Sequence, residues 1–144
     1  MNIAIVDDIA AERALLRSRL ERQLSRRNIQ ANLLEYETGE AFLSSCAKLQ
    51  FAVLFLDIYM DGVNGIETAK QFRSMDARCL LIFTTTSTDH ALEGFRVRAM
   101  HYLVKPYTEE MISDLIDEIL ARLPSTERYM TLKLNGTEVP LPFS

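Results

Sequence analysis

The chain has 144 residues, of which 48% are hydrophobic, so it is long enough and apolar enough for one compact domain with an appendage, which excludes a disordered chain. Its net charge of −4 is mild and does not indicate a nucleic-acid-binding surface within these residues. No apolar run has the length of a membrane span, and the first residues, MNIAIVDD, lack the features of a signal peptide, so we expect a cytoplasmic protein without a membrane partner.

The first part of the chain alternates short apolar runs with amphipathic segments. Leucines that recur every four residues between charged side chains are typical of a helix with one buried face. In chain order we predict a strand at 2–6, a helix at 9–27, a strand at 30–37, a helix at 40–48 and a strand at 52–57.

The same alternation continues in the second part of the chain. Asn64 and Glu67 form a predicted capping box, and Thr108 is a predicted cap of the last helix. In chain order we predict a helix at 65–74, a strand at 79–86, a helix at 89–99, a strand at 101–106 and a helix at 109–122.

This order of elements predicts the fold class. Strands that alternate with helices form a parallel sheet, and helices on both of its faces explain why the strands are continuous apolar runs. We therefore predict an α/β, doubly wound, five-stranded parallel sheet.

The pattern changes after the last helix. Residues 128–144 alternate apolar and polar side chains around Asn135-Gly136, which is a strong hairpin turn. Two such strands do not form a stable unit alone. We interpret them as the start of a second, β-rich domain that the chain leaves incomplete; the alternative is a hairpin that folds back on the first domain or on a partner copy.

Polar residues follow the predicted strands where each strand ends. Ligands of open parallel sheets bind at the carboxyl ends of the strands, so these side chains are expected to meet at one edge. They are Asp7 and Asp8 after the first strand, Asp57 after the third, Thr84, Thr85 and Thr86 after the fourth, and Lys105 with Pro106 after the fifth.

The chemistry of this group indicates phosphoryl transfer. Carboxylates at close range repel, and a hard divalent cation relieves that repulsion; oxygen ligands without His or Cys favour Mg²⁺ over zinc. Lys105 supplies a second positive charge for an anion. Asp57 beside Mg²⁺ and a lysine is suited to attack a phosphoryl group and form an aspartyl-phosphate.

The residues resemble the receiver domain of bacterial two-component response regulators. The resemblance covers about residues 1–123 and rests on IVDD (5–8), LDIYMDGVNG (56–65), FTTT (83–86) and YLVKPY (102–107). It implies a flavodoxin-like, CheY-like fold with strand order 2-1-3-4-5. It also implies a phosphoacceptor domain that is not an enzyme, although it assists its own phosphotransfer and dephosphorylation.

The resemblance also assigns roles to individual residues. Asp57 is then the phosphoacceptor, and Asp7, Asp8, Asp57 and the backbone carbonyl of Tyr59 are the Mg²⁺ ligands. Thr85 is the switch hydroxyl, Tyr102 the aromatic residue that moves with it, and Lys105 the lysine that pairs with the phosphate. The Lys105–Pro106 bond is expected to be cis.

A second, shorter resemblance concerns the end of the chain. YMTLKLNGTEVPLPFS (129–144) is similar to the opening strands of a LytTR-type DNA-binding domain. It implies a LytR/AlgR-type transcription regulator with a receiver domain at 1–123, a linker at 124–127 and an incomplete DNA-binding domain at 128–144. DNA would then be bound only through that second domain.

Two positions depart from the receiver pattern. Asp61 stands where a proline is usual, and Thr86 stands where Ala or Gly is frequent. We expect Asp61 either to modulate the site or to be a solvated turn residue, and we expect Thr86 to narrow access to the phosphate and slow its hydrolysis.

The same residues have four other interpretations, three of which disagree with particular positions. A haloacid-dehalogenase-type phosphatase requires an aspartate at position 59, which is Tyr59. Flavin binding requires a phosphate-binding loop after the first strand, where two carboxylates stand instead. An EF-hand loop requires metal ligands at positions 59 and 68, including a closing glutamate at 68, and this chain has Tyr59 and Thr68 there. A receiver-like interaction module without phosphorylation is kept as the first alternative, and an aspartyl-nucleophile phosphatase as the second.

The expected partners are a sensor histidine kinase and a second copy of the chain. Phosphorylation is expected to change the face formed by the fourth helix, the fifth strand and the fifth helix, with basic and acidic residues that are self-complementary across a two-fold axis. The predicted dimer face comprises Arg96, Arg98, His101, Glu110, Asp114, Asp117 and Glu118. The first helix has an arginine-rich face that we interpret as solvated and as a place where a kinase could dock; it comprises Arg13, Arg17, Arg22 and Arg26.

Overall fold

The computed structural model describes residues 1–60, 64–87 and 89–124, and within these ranges five strands alternate with five helices. The strands are β1 (Asn2–Val6), β2 (Asn32–Tyr36), β3 (Val53–Asp57), β4 (Leu80–Thr85) and β5 (His101–Val104). The helices are α1 (Ala10–Arg26), α2 (Gly39–Ser45), α3 (Gly65–Met75), α4 (Ala91–Arg96) and α5 (Glu109–Arg122). The predicted hairpin at 128–144 and Asp61 lie outside the described residues.

The five strands form one sheet in the order β2-β1-β3-β4-β5, with every neighbouring pair parallel. The predicted parallel sheet and its strand order are confirmed. The register pairs Asp57 with Thr84 and Thr85 with Val104, so the carboxyl ends of the three strands lie side by side. The polar residues that follow the strands therefore meet at one edge.

Each face of the sheet is covered by its own apolar core. Along β1, Ile3 and Ile5 belong to the core beneath α1 and α5, whereas Ala4 and Val6 belong to the core beneath α2 and α3. Because side chains alternate between the faces of a strand, a strand that is buried on both faces needs apolar residues at consecutive positions. This explains the continuous apolar runs.

Helix caps follow the sequence at two predicted positions. The Asn64 side chain accepts a hydrogen bond from the Glu67 amide (3.0 Å), and the Thr108 side chain accepts one from the Met111 amide (3.1 Å). The amide oxygen of Asn64 and the hydroxyl oxygen of Thr108 thus satisfy backbone N–H donors that a helix leaves unpaired at its first turn.

The described ranges contain no helix that has both the length and the apolar character of a membrane span.

The fourth helix is shorter than the predicted 89–99. It ends at Arg96, and Arg98 has a φ of 56°, which is outside the helical region. The guanidinium of Arg73 at the end of α3 donates hydrogen bonds to the carbonyls of Val97 (2.7 Å) and Arg98 (3.1 Å). These bonds satisfy carbonyls after the helix end, so α4 stops one turn earlier than its sequence pattern indicates.

Candidate functional site

The site begins with carboxylates that the strands bring to the sheet edge. Asp7 follows β1 directly, and Asp57 is the last residue of β3; each is only 4% exposed. Asp8 is half-buried beside them. One carboxylate oxygen from each of the three lies within 4.8 Å of the others. The structure therefore brings together the three acidic residues that the sequence singled out.

Lys105 completes this charge cluster from the end of β5. Its Nζ lies 2.9 Å from Asp7 Oδ2 and 3.7 Å from Asp57 Oδ2. Its backbone amide donates to the Thr85 carbonyl (2.6 Å), which ties it to the end of β4, and the Lys105–Pro106 peptide bond is cis. Burial alone lowers the pKa of Lys105, but the hydrogen bond to Asp7 and the charges of Asp57 and Asp7 outweigh burial, so its pKa is raised.

The environment of Asp57 disfavours its ionisation. Burial raises its pKa from 3.8 to about 6; Lys105 opposes that shift, while the negative charges of Asp7 and Asp8 add to it. The Tyr59 amide also points at Asp57, with its nitrogen 3.4 Å from Oδ1. Near neutral pH the group is thus a carboxylate whose charge is incompletely compensated.

The donor set fits a hard divalent cation. Three carboxylates face one ammonium, so the cluster keeps an excess of negative charge, and its ligand atoms are oxygens. Oxygen ligands with partial hydration are typical of Mg²⁺ sites. Asp7, Asp8 and Asp57 are the residues that would hold such an ion.

The predicted switch residues lie on the two neighbouring strands. Thr85 is fully buried at the end of β4, and its hydroxyl accepts a hydrogen bond from the Ser87 amide (3.3 Å). Tyr102 on β5 is half-buried, with its ring centroid 6.0 Å from that of Phe83. Gly94 of α4 packs over both rings, where an added Cβ would lie 3.4 Å from each. Tyr102 thus connects β5 to α4.

Tyr59 and Thr86 are at the periphery of the site. The Tyr59 side chain is 44% exposed, and its ring lies against that of His90 with 5.6 Å between centroids. Thr86 is exposed and lines a cavity of about 310 Å³ together with Lys105 and Pro106.

Gly65 is a residue of the site that the sequence analysis did not single out. A Cβ at this position would lie 2.1 Å from the Asp57 carbonyl oxygen, closer than any contact between real atoms of these kinds. Its amide donates to the Ile58 carbonyl (2.9 Å). Only glycine allows α3 to begin this close to the strand that carries Asp57. The glycine was visible in the sequence, but its neighbour was not.

Arg13 is the second residue that was missed, and the predicted solvated face of α1 is wrong at this position. The Arg13 side chain is only 11% exposed and forms an ion pair with Glu35 of β2 (3.2 Å). Its Nη1 donates to the backbone carbonyl of Asp7 (2.7 Å). Its contacts with the end of β1 and with β2 bury the side chain, and helical periodicity does not predict these contacts.

The residues of the predicted dimer face lie on or beside α4, β5 and α5, and all of them are exposed: Arg96, Arg98, His101, Glu110, Asp114, Asp117 and Glu118. Asp117 differs in one respect, because its carboxylate accepts a hydrogen bond from Arg27 Nε at 3.0 Å and so pairs within the chain. Leu92 and Phe95 of α4 are 62% and 79% exposed and add apolar surface to the same region.

The chain is similar in sequence to curated proteins. The chain is 33% identical over 135 residues to the sensory transduction protein LytT of Oceanobacillus iheyensis. The aligned region covers 92% of this chain and 54% of LytT. The chain spans about half the length of the curated relatives it matches.

Two solved structures have the same fold. The BeF3-activated DrrB receiver domain superimposes with a TM-score of 0.67 and 25% identity over 84% of this chain and 97% of that chain. The response regulator TrrA of Thermotoga maritima, solved in complex with Mg²⁺-BeF, superimposes with a TM-score of 0.70 and 23% identity over 82% and 97%.

The family comparison agrees with the site geometry. The model of the response regulator receiver domain matches residues 3–117, a range that contains the three aspartates, Thr85 and Lys105. Another relative, 27% identical over 128 residues, is the transcriptional regulatory protein ResD of Bacillus subtilis. The chain belongs to the receiver domain family of two-component response regulators.

Proposed function

We propose that Asp57 accepts a phosphoryl group from a sensor histidine kinase, and that phosphorylation activates the chain as a response regulator. The observation that carries the proposal is the cluster itself: Asp57 lies with Asp7 and Asp8 within 4.8 Å and with Lys105 Nζ at 3.7 Å. Membership of the receiver family supports the same role.

The chemistry assigned to the chain's own residues is an in-line displacement. A carboxylate oxygen of Asp57 forms a bond to phosphorus while the bond from phosphorus to the donor breaks, and the donor leaves with its electron pair. Lys105 pairs with a phosphoryl oxygen, and the Thr85 hydroxyl donates a hydrogen bond to another. Asp7, Asp8, Asp57 and the Tyr59 carbonyl would hold Mg²⁺, which would supply positive charge beside the phosphoryl oxygens. The response regulator TrrA, which has the same fold, was solved in complex with Mg²⁺-BeF, and this supports the choice of Mg²⁺ as the cofactor.

The output proposed for this event is a change in the face formed by α4, β5 and α5. When Thr85 engages the phosphoryl group, Tyr102 gains room to turn inward, and the surface around α4 changes with it. We propose that this promotes homodimerisation and, through a C-terminal LytTR-type domain, control of transcription in the cytoplasm. The similarity to LytT supports this layout, with a receiver at 1–123, a linker at 124–127 and the second domain from 128.

Incubation with acetyl phosphate, followed by intact mass measurement, tests the proposal. Wild-type protein is expected to gain one phosphoryl group in Mg²⁺ and none in EDTA, and Asp57→Ala none in either. Glu40→Gln, at an exposed glutamate of α2, is the control and is expected to behave as wild type. An adduct that forms without Mg²⁺ or without Asp57, or no adduct at all, would contradict the proposal; the last result favours the interaction module.

A further inference from the structure

Arg13 links the acidic pocket to β2, the outer strand of the sheet. Its guanidinium donates from Nη1 to the Asp7 carbonyl (2.7 Å) and from Nε to Glu35 Oε1 (3.2 Å), and its Nη2 lies 3.8 Å from Glu37 Oε1. A planar guanidinium holds several acceptors in fixed relative directions, which an ammonium does not. Arg13 thereby fixes the backbone of Asp7 relative to β2.

The other contacts of Asp7 show what this bond adds. The Asp7 amide donates to the Tyr36 carbonyl (3.1 Å), and Asp7 Oδ1 accepts from the Ile9 amide (2.9 Å). With its carbonyl held by Arg13, the residue is restrained at its amide, its carbonyl and Oδ1. The remaining oxygen, Oδ2, is the one that faces Lys105. Arg13 thus restrains the peptide that joins Asp7 to Asp8.

The charge of Arg13 does not account for its position. A cation close to a cation site weakens binding unless it is compensated. Glu35 and Glu37 supply that compensation. The directed hydrogen bond to Asp7, rather than the net charge, is therefore the contribution of Arg13 to the pocket.

We propose that Arg13 is a positioning residue for Mg²⁺ binding: it holds the β1–α1 turn so that the carboxylates of Asp7 and Asp8 keep the arrangement that the ion requires. This inference rests on the proposed function, because it concerns the same acidic pocket. Groups that orient metal ligands from behind typically change metal affinity by about 10- to 100-fold when they are removed.

Arg17 offers a matched control. It pairs with the same Glu35 carboxylate (3.0 Å) and with Glu21 (3.5 Å), one turn further along α1. The hydrogen bond to the Asp7 carbonyl comes from Arg13. Replacing either arginine removes a charge and a partner of Glu35, but only the Arg13 replacement removes the bond to Asp7.

The test is a calorimetric titration of the full chain with Mg²⁺ alone, without a phosphodonor. Arg13→Ala is expected to bind Mg²⁺ about tenfold more weakly than wild type, whereas Arg17→Ala is expected to stay close to the wild-type affinity. Arg13→Lys keeps the charge without the planar fork and is expected to be weaker than wild type; it also serves if Arg13→Ala does not fold. Wild-type affinity in either Arg13 variant, or an equal loss in Arg17→Ala, would overturn the inference.

A second readout needs no metal. The Ile9 amide, which donates to Asp7 Oδ1, reports the geometry of the turn in a nitrogen–proton correlation spectrum. Its resonance is expected to shift more in Arg13→Ala than in Arg17→Ala in EDTA. Equal shifts in the two variants would count against a specific role of Arg13.

Phosphorylation rates separate positioning from participation in the transfer. With acetyl phosphate, Arg13→Ala is expected to need more Mg²⁺ but to recover a near wild-type rate at saturating Mg²⁺. A rate that Mg²⁺ does not restore would overturn the positioning role. If wild-type protein binds Mg²⁺ but forms no adduct, the proposed function fails while the inference about Arg13 stands on calorimetry; if wild type binds no Mg²⁺, the inference fails as well.

Discussion

Asp57 is buried at the end of an apolar strand, yet it faces three charged groups. Burial favours the neutral acid, whereas Lys105 favours the carboxylate, and burial has the larger effect on its pKa. Because the buried carboxylate is disfavoured, any process that neutralises its charge, such as cation binding, becomes more favourable. The same property can be measured in the stability of the metal-free protein.

We predict that Asp57→Asn stabilises the metal-free protein in a pH-dependent way. The pKa of Asp57 is raised from 3.8 to about 6 in the folded chain, so its ionisation opposes folding as pH rises through that interval. The advantage of the amide is therefore expected to be small near pH 4, to grow up to about pH 6 and to stay constant above it. Urea unfolding in EDTA at several pH values is the measurement.

The control for this prediction is Asp114→Asn, at an exposed position of α5. Its effect on the free energy of unfolding is expected to lack the rise associated with Asp57. A stability difference between Asp57→Asn and wild type that is the same at every pH would show that burial of the charge does not determine it.

Thr86 provides a prediction about the lifetime of the phosphate. Its exposed side chain lines the cavity beside Lys105 and Pro106, next to the lysine that we expect to pair with the phosphate. Thr86→Ala removes a hydroxyl and a methyl group from that wall, so dephosphorylation is expected to become several-fold faster, a barrier change on the order of 1 kcal/mol. Loss of the adduct over time after removal of acetyl phosphate measures the rate; an unchanged rate would refute the prediction.

At the scale of elements, close approach between helices and strands decides how the site is supported. Gly65 lets α3 begin against the carbonyl of Asp57, and Gly39 lets α2 approach α3. At Gly39 an added Cβ would lie 2.0 Å from Thr68 Oγ1, and this hydroxyl is buried without a hydrogen-bond partner in the described part of the chain. Packing between α2 and α3 is thus set by a glycine and a threonine.

We predict that Gly39→Ala destabilises the fold by about 1–3 kcal/mol, because the overlap with Thr68 forces a backbone or side-chain shift. Thr68→Ala removes the clashing hydroxyl and methyl, so the double variant is expected to recover much of the loss. Denaturant unfolding of the two single variants and the double variant gives the coupling free energy.

Gly94→Ala is the comparison for this cycle, since its added Cβ would meet ring atoms only at 3.4 Å, an ordinary contact. It is expected to avoid the overpacking penalty of Gly39→Ala. Additive effects of Gly39→Ala and Thr68→Ala would mean that the two positions do not share the contact.

At the scale of the whole molecule, the surface that includes α4 combines exposed charged residues with exposed apolar side chains. Phe95 and Leu92 are exposed beside Arg96 and Arg98, and α5 contributes acidic residues that are also exposed. Specific interfaces combine an apolar centre with a polar rim. The charges that the sequence indicated are thus accompanied by exposed apolar side chains, which are suited to the centre of an interface.

We predict that activation with beryllofluoride and Mg²⁺ shifts the chain from monomer to dimer through this surface. Phe95→Ala is expected to weaken association at least tenfold, a typical loss for an aromatic residue at an interface centre. Arg96→Glu is expected to weaken it in a salt-dependent way. Sedimentation velocity with and without beryllofluoride is the measurement.

Arg26→Glu at the exposed end of α1 is the control variant and is expected to dimerise like wild type. A monomer in both states, or a dimer that is insensitive to Phe95→Ala and Arg96→Glu, would place the interface elsewhere or remove it.

The sequence by itself determined the order of the elements, the sheet edge at which Asp7, Asp57, Thr85 and Lys105 meet, and the caps at Asn64 and Thr108. These features depend on local signals: a strand buried on both faces must be apolar throughout, and its first charged residue marks its end. The chemistry proposed for that edge is argued from the residue types and stays a prediction.

Only the tertiary structure decided the contacts between distant parts of the chain. The bond from Arg13 to the Asp7 carbonyl, the approach of Gly65 to Asp57 and the early end of α4 beneath Arg73 depend on how helices pack on the sheet. Sequence periodicity indicates which face of a helix is buried, but not which backbone atoms that face meets. An arginine at the border of that face therefore reads as solvated until packing places an acceptor beside it.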